Sequence, residues 1–389
     1  MVVLIKNCRV FSPEALGKTD VLVLGDKIAA VGPDLSADFN GKVPVDIIDG
    51  SGLIMIPGLI DNHVHILGGG GEGGFRTRTP EAVLTDFTLN GITTVCGLLG
   101  TDGVTRNMAS LVAKTEALNE EGITAYCYTG SYPVPITTLT GSVMKDIMLI
   151  DRCIGVGEIA LSDHRSSQPT YEELSRLVAD ARVGGMLAAK AGLVDIHMGG
   201  GPRGLTMICR LIHETEIPYS QVLPTHINRS RDLFSEGLDW IKEGGYIDLT
   251  AYGLGKPSSD VPAAEGFTRI LDQDPAFDHV TMSSDGQGSL PKFNEKGDCI
   301  GLGVGSSATI LENIKDAVRK GLPLEKVIKP VTSNIASLLK LKGKGRIAAG
   351  YDADLVLLDE RSLDLVGLVA KGRILVRDTK AVVKGTFEI

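Results

Sequence analysis

Apolar, β-branched runs of strand length recur along the chain, alternating with stretches whose apolar residues repeat at helical spacing. The strand-like runs are LIDNHVH (59–65), ITTVCGLLGTD (92–102), ITAYCYTGSY (123–132), IGVGEIALSD (154–163), LVDIHMG (193–199), VLPTHI (222–227), YIDLTAYG (246–253) and HVTMSSDG (279–286). Between them lie helix-like segments such as MASLVAKTEALNEEG, YEELSRLVADARVGGMLAAKAG, LTMICRLIHETE and LFSEGLDWIKEGG, several closed by the glycine expected past a helix end. Eight strand–helix alternations at roughly 30-residue spacing predict an α/β fold, a parallel (β/α)8 TIM-like barrel, with a doubly wound open sheet as the competing architecture.

The two chain ends break this rhythm. VVLIKNCRVF, DVLVLGDKIAAVG and VPVDIIDGSGLIMIPG at the start, and DADLVLLD, DLVGLVAKGRILVRD and KAVVKG at the finish, are short strand-like runs punctuated by turns. They predict a small β-sandwich domain, discontinuous in sequence, from residues 1–56 plus 342–389, leaving 57–341 for the barrel.

In a parallel barrel the chemistry sits at the C-terminal ends of the strands. His63 and His65 stand at i and i+2, which sends both imidazoles to one side of the first strand. His197 closes the fifth strand, His226 the sixth, and Asp285 the eighth. Any one of these histidines alone reads as a packed or surface side chain. Four of the chain's seven histidines in one register, with an aspartate, read as a site for zinc or a similar borderline ion. His213, within a helix, and His279, at the opposite end of the eighth strand, read as structural; His164, in the SDHR loop, is placed to support the site from behind.

Composition narrows the partners. A hydrophobic share of 43% and a charged share of 22% are globular values, and no apolar run approaches a membrane span. A formal charge of −9 without a basic block argues against nucleic acid and anionic membranes. Six cysteines without a CxxC pair predict buried thiols rather than disulfides or a zinc knuckle. The N-terminus lacks a secretory pattern, so the expected location is the cytoplasm.

The HxH after an apolar strand, the single histidines on strands five and six and the aspartate on strand eight resemble the amidohydrolase superfamily of metal-dependent hydrolases. GSGLIMIPGLIDNHVH and GKGRIAAGYDADLVLLD resemble its sheet-domain flanks. Within the superfamily, HVHILGGGGEGG, GLLGTD, TGSY, SDHR, THINR and SSDGQGS are similar to the enzymes that cleave β-aspartyl peptide bonds. The resemblance implies two divalent ions per subunit, Zn2+ first among them, with His63 and His65 on one and His197 and His226 on the other. Asp285 would bind metal and act as general base, and Tyr132 would polarise the scissile carbonyl under attack by metal-bound hydroxide. Glu72 would take the substrate's free amino group, with Gly70 and Thr101 beside it, and Arg165, Arg229 and Ser289 would hold its carboxylates. The implied substrate is a small zwitterionic dipeptide and the implied assembly a homo-oligomer, an octamer among the sizes. An acid and two guanidinium groups around one mouth suit a zwitterion on chemical grounds too. The alternative is another amidohydrolase, acting on a cyclic amide, an N-acyl amino acid or an amino-substituted ring; a metal-free scaffold protein would have no use for the histidine set.

One position departs from the family. Where a carboxylated lysine would bridge the two metals, GVGEIALSDHR supplies Glu158. The charge and the two oxygens are kept, but the reach is shorter by roughly 3–4 Å at ordinary bond lengths. Either the fourth strand lies deeper in the mouth, helped by Gly155 and Gly157, or the metals shift. Glu158 therefore reads as a bridge between two metals, a ligand to one, or a supporting acid.

Overall fold

The computed structural model describes residues 2–37, 41–254, 260–273, 276–293 and 299–388. Eight parallel strands form its centre: β1 (Leu59–Val64), β2 (Ile92–Gly97), β3 (Thr124–Thr129), β4 (Cys153–Leu161), β5 (Leu193–Met198), β6 (Val222–Thr225), β7 (Ile247–Thr250) and β8 (Val280–Ser283). All of their residues but the half-buried Tyr126 are buried, as in barrel strands covered by helices outside and side chains inside. The connecting helices include Met108–Glu121, Tyr171–Leu187, Thr206–Glu214 and Arg231–Lys242. The Tyr171–Leu187 helix starts where the sequence says it should: Thr170 accepts from Glu173 N, and Glu173 reaches back to Thr170 N.

The expected parallel strands are present, but their hydrogen-bonded ladder is not closed into a barrel. β1 to β6 form one sheet and β7 with β8 another. At both seams a buried side chain replaces the backbone ladder. Asn228 donates to Thr250 O at 3.0 Å and accepts from Thr250 N at 2.9 Å, joining the end of β6 to β7. Asp61 on β1 accepts from Ser284 N at 3.0 Å, just beyond β8, and a single bridge pairs Val64 with Gly286. His226, at φ 62°, turns the chain out of β6 just before Asn228, which is why the ladder stops there.

The two chain ends do associate. Residues 2–11, 15–24, 27–32, 45–49 and 53–57 join 355–359, 365–370, 373–377 and 380–381 in one nine-stranded sheet, with Leu53–Pro57 antiparallel to Leu355–Asp359. A sandwich of two sheets was expected; the hydrogen bonding joins all nine strands into one branched sheet, with residues 45–49 pairing with 2–6 off the main strand order. Val3, Ile5, Val10, Val21, Met55 and Leu355 build its core. Lys344 pins this unit to the barrel, its buried ammonium meeting Asp354, Asp352 and Thr124. Cys8, Cys96, Cys127 and Cys153 are buried free thiols, Cys209 is half-buried, and the side chain of Cys299 lies outside the described residues. No described helix is long and apolar enough to cross a membrane.

Candidate metal centre and substrate pocket

At the C-terminal ends of the strands, Glu158 stands at the centre of a ring of imidazoles. His63 Nε2 lies 3.3 Å, His197 Nδ1 3.0 Å and His226 Nε2 3.9 Å from Oε2, while His65 Nε2 is 3.3 Å from Oε1. Asp285 closes the ring, with Oδ1 3.2 Å from His65 Nε2 and 3.9 Å from His63 Nε2. Among the described residues two sets are compact enough to hold an ion: His63, His65 and Asp285, and His63, Glu158 and His226.

Glu158 reaches this position through a bulge in β4. Val156 pairs with Val194 and Ile159 with Ile196, so Gly157 and Glu158 together oppose the single residue Asp195. A bulge of this kind re-aims a side chain. Glycine makes the close approach possible: a β-carbon at 155 would stand 2.3 Å from Leu193 O, and one at 157 would stand 2.9 Å from Asp195 Cβ. Gly100 likewise gives way to the site, since a β-carbon there would be 2.7 Å from His65 Cε1.

The far nitrogen of three imidazoles is fixed from behind. His63 Nδ1 is 2.6 Å from Asp195 Oδ2, His197 Nε2 3.1 Å from Asp163 Oδ2, and His226 Nδ1 2.6 Å from Thr250 Oγ1. The two carboxylates accept, which places a proton on the nitrogen they face and leaves the other nitrogen of His63 and His197 toward Glu158, while Thr250 fixes the orientation of the His226 ring. Sequence reading missed all three. Asp195 was within reach of it, because D-x-H on a strand puts both side chains on one face. Asp163 and Thr250 come from neighbouring strands, with no local pattern to announce them.

Charge follows from this packing. Burial pushes Glu158 up, but His63, His197 and His226 outweigh it and hold the carboxylate well below its usual range. Asp285 behaves the same way: burial raises it, His65 and His226 lower it, and it settles at about 2. Burial pushes His226 down to about 3, which keeps it neutral, the form that ligates metal. For His63 burial is outweighed by Asp195 and Glu158, which drive it well up, so the surroundings favour positive charge at that point. Burial, then Glu158, pushes the Tyr132 phenol far above its ordinary value, so it stays a donor.

The residues present fit a divalent metal centre. Among the described residues His63 Nε2 and His226 Nε2 are buried without a hydrogen-bond partner, an expensive condition unless something else binds them. Both point at an ionised, fully buried carboxylate. Imidazole and carboxylate donors together suit zinc or a neighbouring ion. His197 lies outside both compact sets, and its Nδ1 is also 2.9 Å from Tyr132 OH.

Above the ring opens a cavity of about 730 Å³, lined by Gly70, Glu72, Thr101, Tyr132, Arg165, Arg229 and Ser289 together with His65, Glu158, His197 and Asp285. Every substrate residue expected from the sequence thus reaches one pocket. Glu72 Oε1 sits 3.2 Å from Arg165 Nη1 and accepts from Thr101 Oγ1 at 3.0 Å. Arg229 Nε is buried without a partner among the described residues, a donor left for a ligand. The glycine run is a packed loop, since a β-carbon at Gly68, φ 76°, would strike Thr79 O at 2.3 Å. His164 is exposed at the rim, 3.5 Å from Asp163; His213 is a surface residue bonded to Glu243; and His279 stacks on Tyr246.

Comparison with known proteins agrees with this chemistry. Residues 257–386 match the amidohydrolase family model. The solved structure of β-aspartyl dipeptidase from the thermophilic, keratin-degrading Fervidobacterium islandicum AW-1, in complex with a β-Asp-Leu dipeptide, is 49% identical, covers 100% of both chains and superposes with a TM-score of 0.91. A second structure of that dipeptidase is 47% identical over 98% of each chain, with a TM-score of 0.89. An L-hydantoinase from Paenarthrobacter aurescens is 25% identical over 92% of this chain and 85% of its own.

Proposed function

The chain belongs to the amidohydrolase family, and from that premise we propose that it is an isoaspartyl dipeptidase, hydrolysing β-aspartyl dipeptides to aspartate and an amino acid. The observation that carries the substrate class is the Glu72–Arg165 pair at the mouth of an imidazole–carboxylate cluster. An α-amino group and its α-carboxylate form a zwitterion whose two charges match that pair, the ammonium on Glu72 and the carboxylate on Arg165. Thr101 and the Gly70 backbone line the same corner. Arg229 and Ser289 are assigned the second carboxylate, that of the leaving residue.

We assign two divalent ions, zinc first among candidates, to His63, His65 and Asp285 on one side and to His197 and His226 on the other, with Glu158 between them in place of a carboxylated lysine. Bound there, the metals would polarise the amide carbonyl and bring the pKa of a water near neutrality. The protein's own groups supply the rest. Tyr132 keeps its proton and donates a hydrogen bond from its hydroxyl to the carbonyl oxygen as charge builds there. Asp285, ionised at neutral pH, accepts the water's proton at its carboxylate and returns it to the leaving nitrogen, so one water is consumed and one C–N bond broken. Residues 57–341 would form the hydrolase domain and 1–56 with 342–389 a supporting β domain.

The test is turnover of β-Asp-Leu beside α-Asp-Leu, N-acetyl-β-Asp-Leu and a hydantoin. Release of aspartate from the free β-linked dipeptide alone is the expected result. Preference for the acylated amine or for the ring would overturn the reading in favour of another amidohydrolase activity.

A further inference from the structure

We propose that Asp163 is a positioning residue that fixes the His197 imidazole for metal binding while holding Arg165 for substrate, so that one buried carboxylate links the two halves of the site. The proposal rests on the metal reading of the cluster. Asp163 is 8% exposed at the end of β4. Its Oδ1 accepts from Arg165 N at 2.7 Å and from Arg165 Nε at 3.0 Å, and its Oδ2 accepts from Arg165 Nη2 at 2.9 Å, a bidentate grip. The same Oδ2 lies 3.1 Å from His197 Nε2. Arg165 Nη2 is 3.2 Å from that nitrogen too, but it has no lone pair to offer, so the carboxylate is the acceptor for both. With Nε2–H donated to Asp163, His197 turns the lone pair of Nδ1 toward Glu158 Oε2, 3.0 Å away.

The local backbone is shaped for this contact. Ser162 takes a left-handed φ of 51°, and the segment after β5 packs directly onto it. A β-carbon at Gly199 would stand 2.5 Å from Asp163 Cβ, and one at Gly201 would stand 2.5 Å from Ser162 O. The glycines of MGGGP thus allow the loops following β4 and β5 to touch, which brings the carboxylate and the imidazole together.

The experiment compares the full-length parent, Asp163→Asn and Asp163→Ser after zinc loading, reading metal affinity by competition with a chromophoric chelator and kcat and KM on β-Asp-Leu. Loss of a carboxylate behind a ligating imidazole is expected to weaken one of the two ions by roughly 10–100-fold, leaving the other near its parent affinity. Arg165→Lys, which keeps the charge beside Asp163, is expected to raise KM while metal affinity stays within about twofold of the parent, by the same reasoning. Melting temperature identifies a variant that fails to fold, and the two substitutions at 163 give two chances of a folded one. Parent-like metal affinity in a folded variant, with only KM raised, would mean that Asp163 serves Arg165 alone and would overturn the proposal. A parent protein that takes up no zinc would overturn the metal reading, and this inference with it.

Discussion

Asp195 on β5 and His63 on β1 meet inside the barrel mouth, Oδ2 to Nδ1 at 2.6 Å, with both side chains fully buried. His63 belongs to both compact metal sets, so its orientation bears on each of them. With His63 assigned to the ion it shares with His65 and Asp285, Asp195→Ala is expected to weaken that ion by about 10–100-fold, whereas a change at Asp163 weakens the ion of His197 and His226. Chelator competition checks it; parent-like retention of both ions would count against the assignment.

Among the described residues Glu158 is the one carboxylate within 4 Å of all four imidazoles of the ring. Glu158→Ala is expected to lose at least one metal per subunit, read by elemental analysis of the purified protein. Unchanged metal content would move Glu158 from ligand to supporting acid.

The histidines were legible in the sequence because a barrel strand fixes which residues end up at its rim, and His63, His65, His197, His226 and Asp285 all close apolar runs. The strands themselves were legible for the same reason: all eight expected runs form strands. Glu158 could be named from its place in the run, but the bulge that delivers it depends on the register between β4 and β5, which a single strand does not encode. The seams of the barrel were hidden in the same way. Asn228 and Asp61 do there, with side chains, what pattern reading assigns to the backbone, and their partners Thr250 and Ser284 are 22 and 223 residues away.

Gly155 offers a test of the bulge that avoids the metal ligands. A β-carbon would press on the backbone oxygen of Leu193 at 2.3 Å, and a backbone oxygen in a paired strand has little room to move. Gly155→Ala is expected to cost about 1–3 kcal/mol of stability through overpacking. Thermal melting reads this directly, and a variant as stable as the parent would show that the strands separate more easily than their packing implies.

Lys344 gives the pH dependence. Burial pushes its ammonium down, but Asp354 and Asp352 outweigh it and leave it above its usual value. Asp352 is raised by burial and lowered more by Lys344 and Lys27, so its carboxyl sits below its usual value. The lysine's contribution is complete below its unfolded pKa of about 10.4 and is lost as pH rises through the higher folded value. The aspartate's contribution is complete above about 3.9 and is lost as pH falls through the lower folded value. Melting temperature should hence fall at both extremes. Lys344→Met, which strands the buried Asp354, is expected to cost about 3–5 kcal/mol at neutral pH. A neutral-pH melting temperature unchanged in that variant would deny the pair its role in joining the end sheet to the barrel.

Glu72 and Arg165 neutralise each other across the mouth before any substrate enters. A zwitterion can separate them at little electrostatic cost, because each partner lost is replaced by one of the same sign; an N-acylated substrate offers only the carboxylate and leaves Glu72 uncompensated. Removing the charge at Glu72 should narrow that difference. Glu72→Gln is expected to lower kcat/KM on β-Asp-Leu by about 10–100-fold, the worth of one charged hydrogen bond, while N-acetyl-β-Asp-Leu changes little or improves. Steady-state kinetics on the two substrates give the ratio, and an equal loss on both would remove Glu72 from amine recognition.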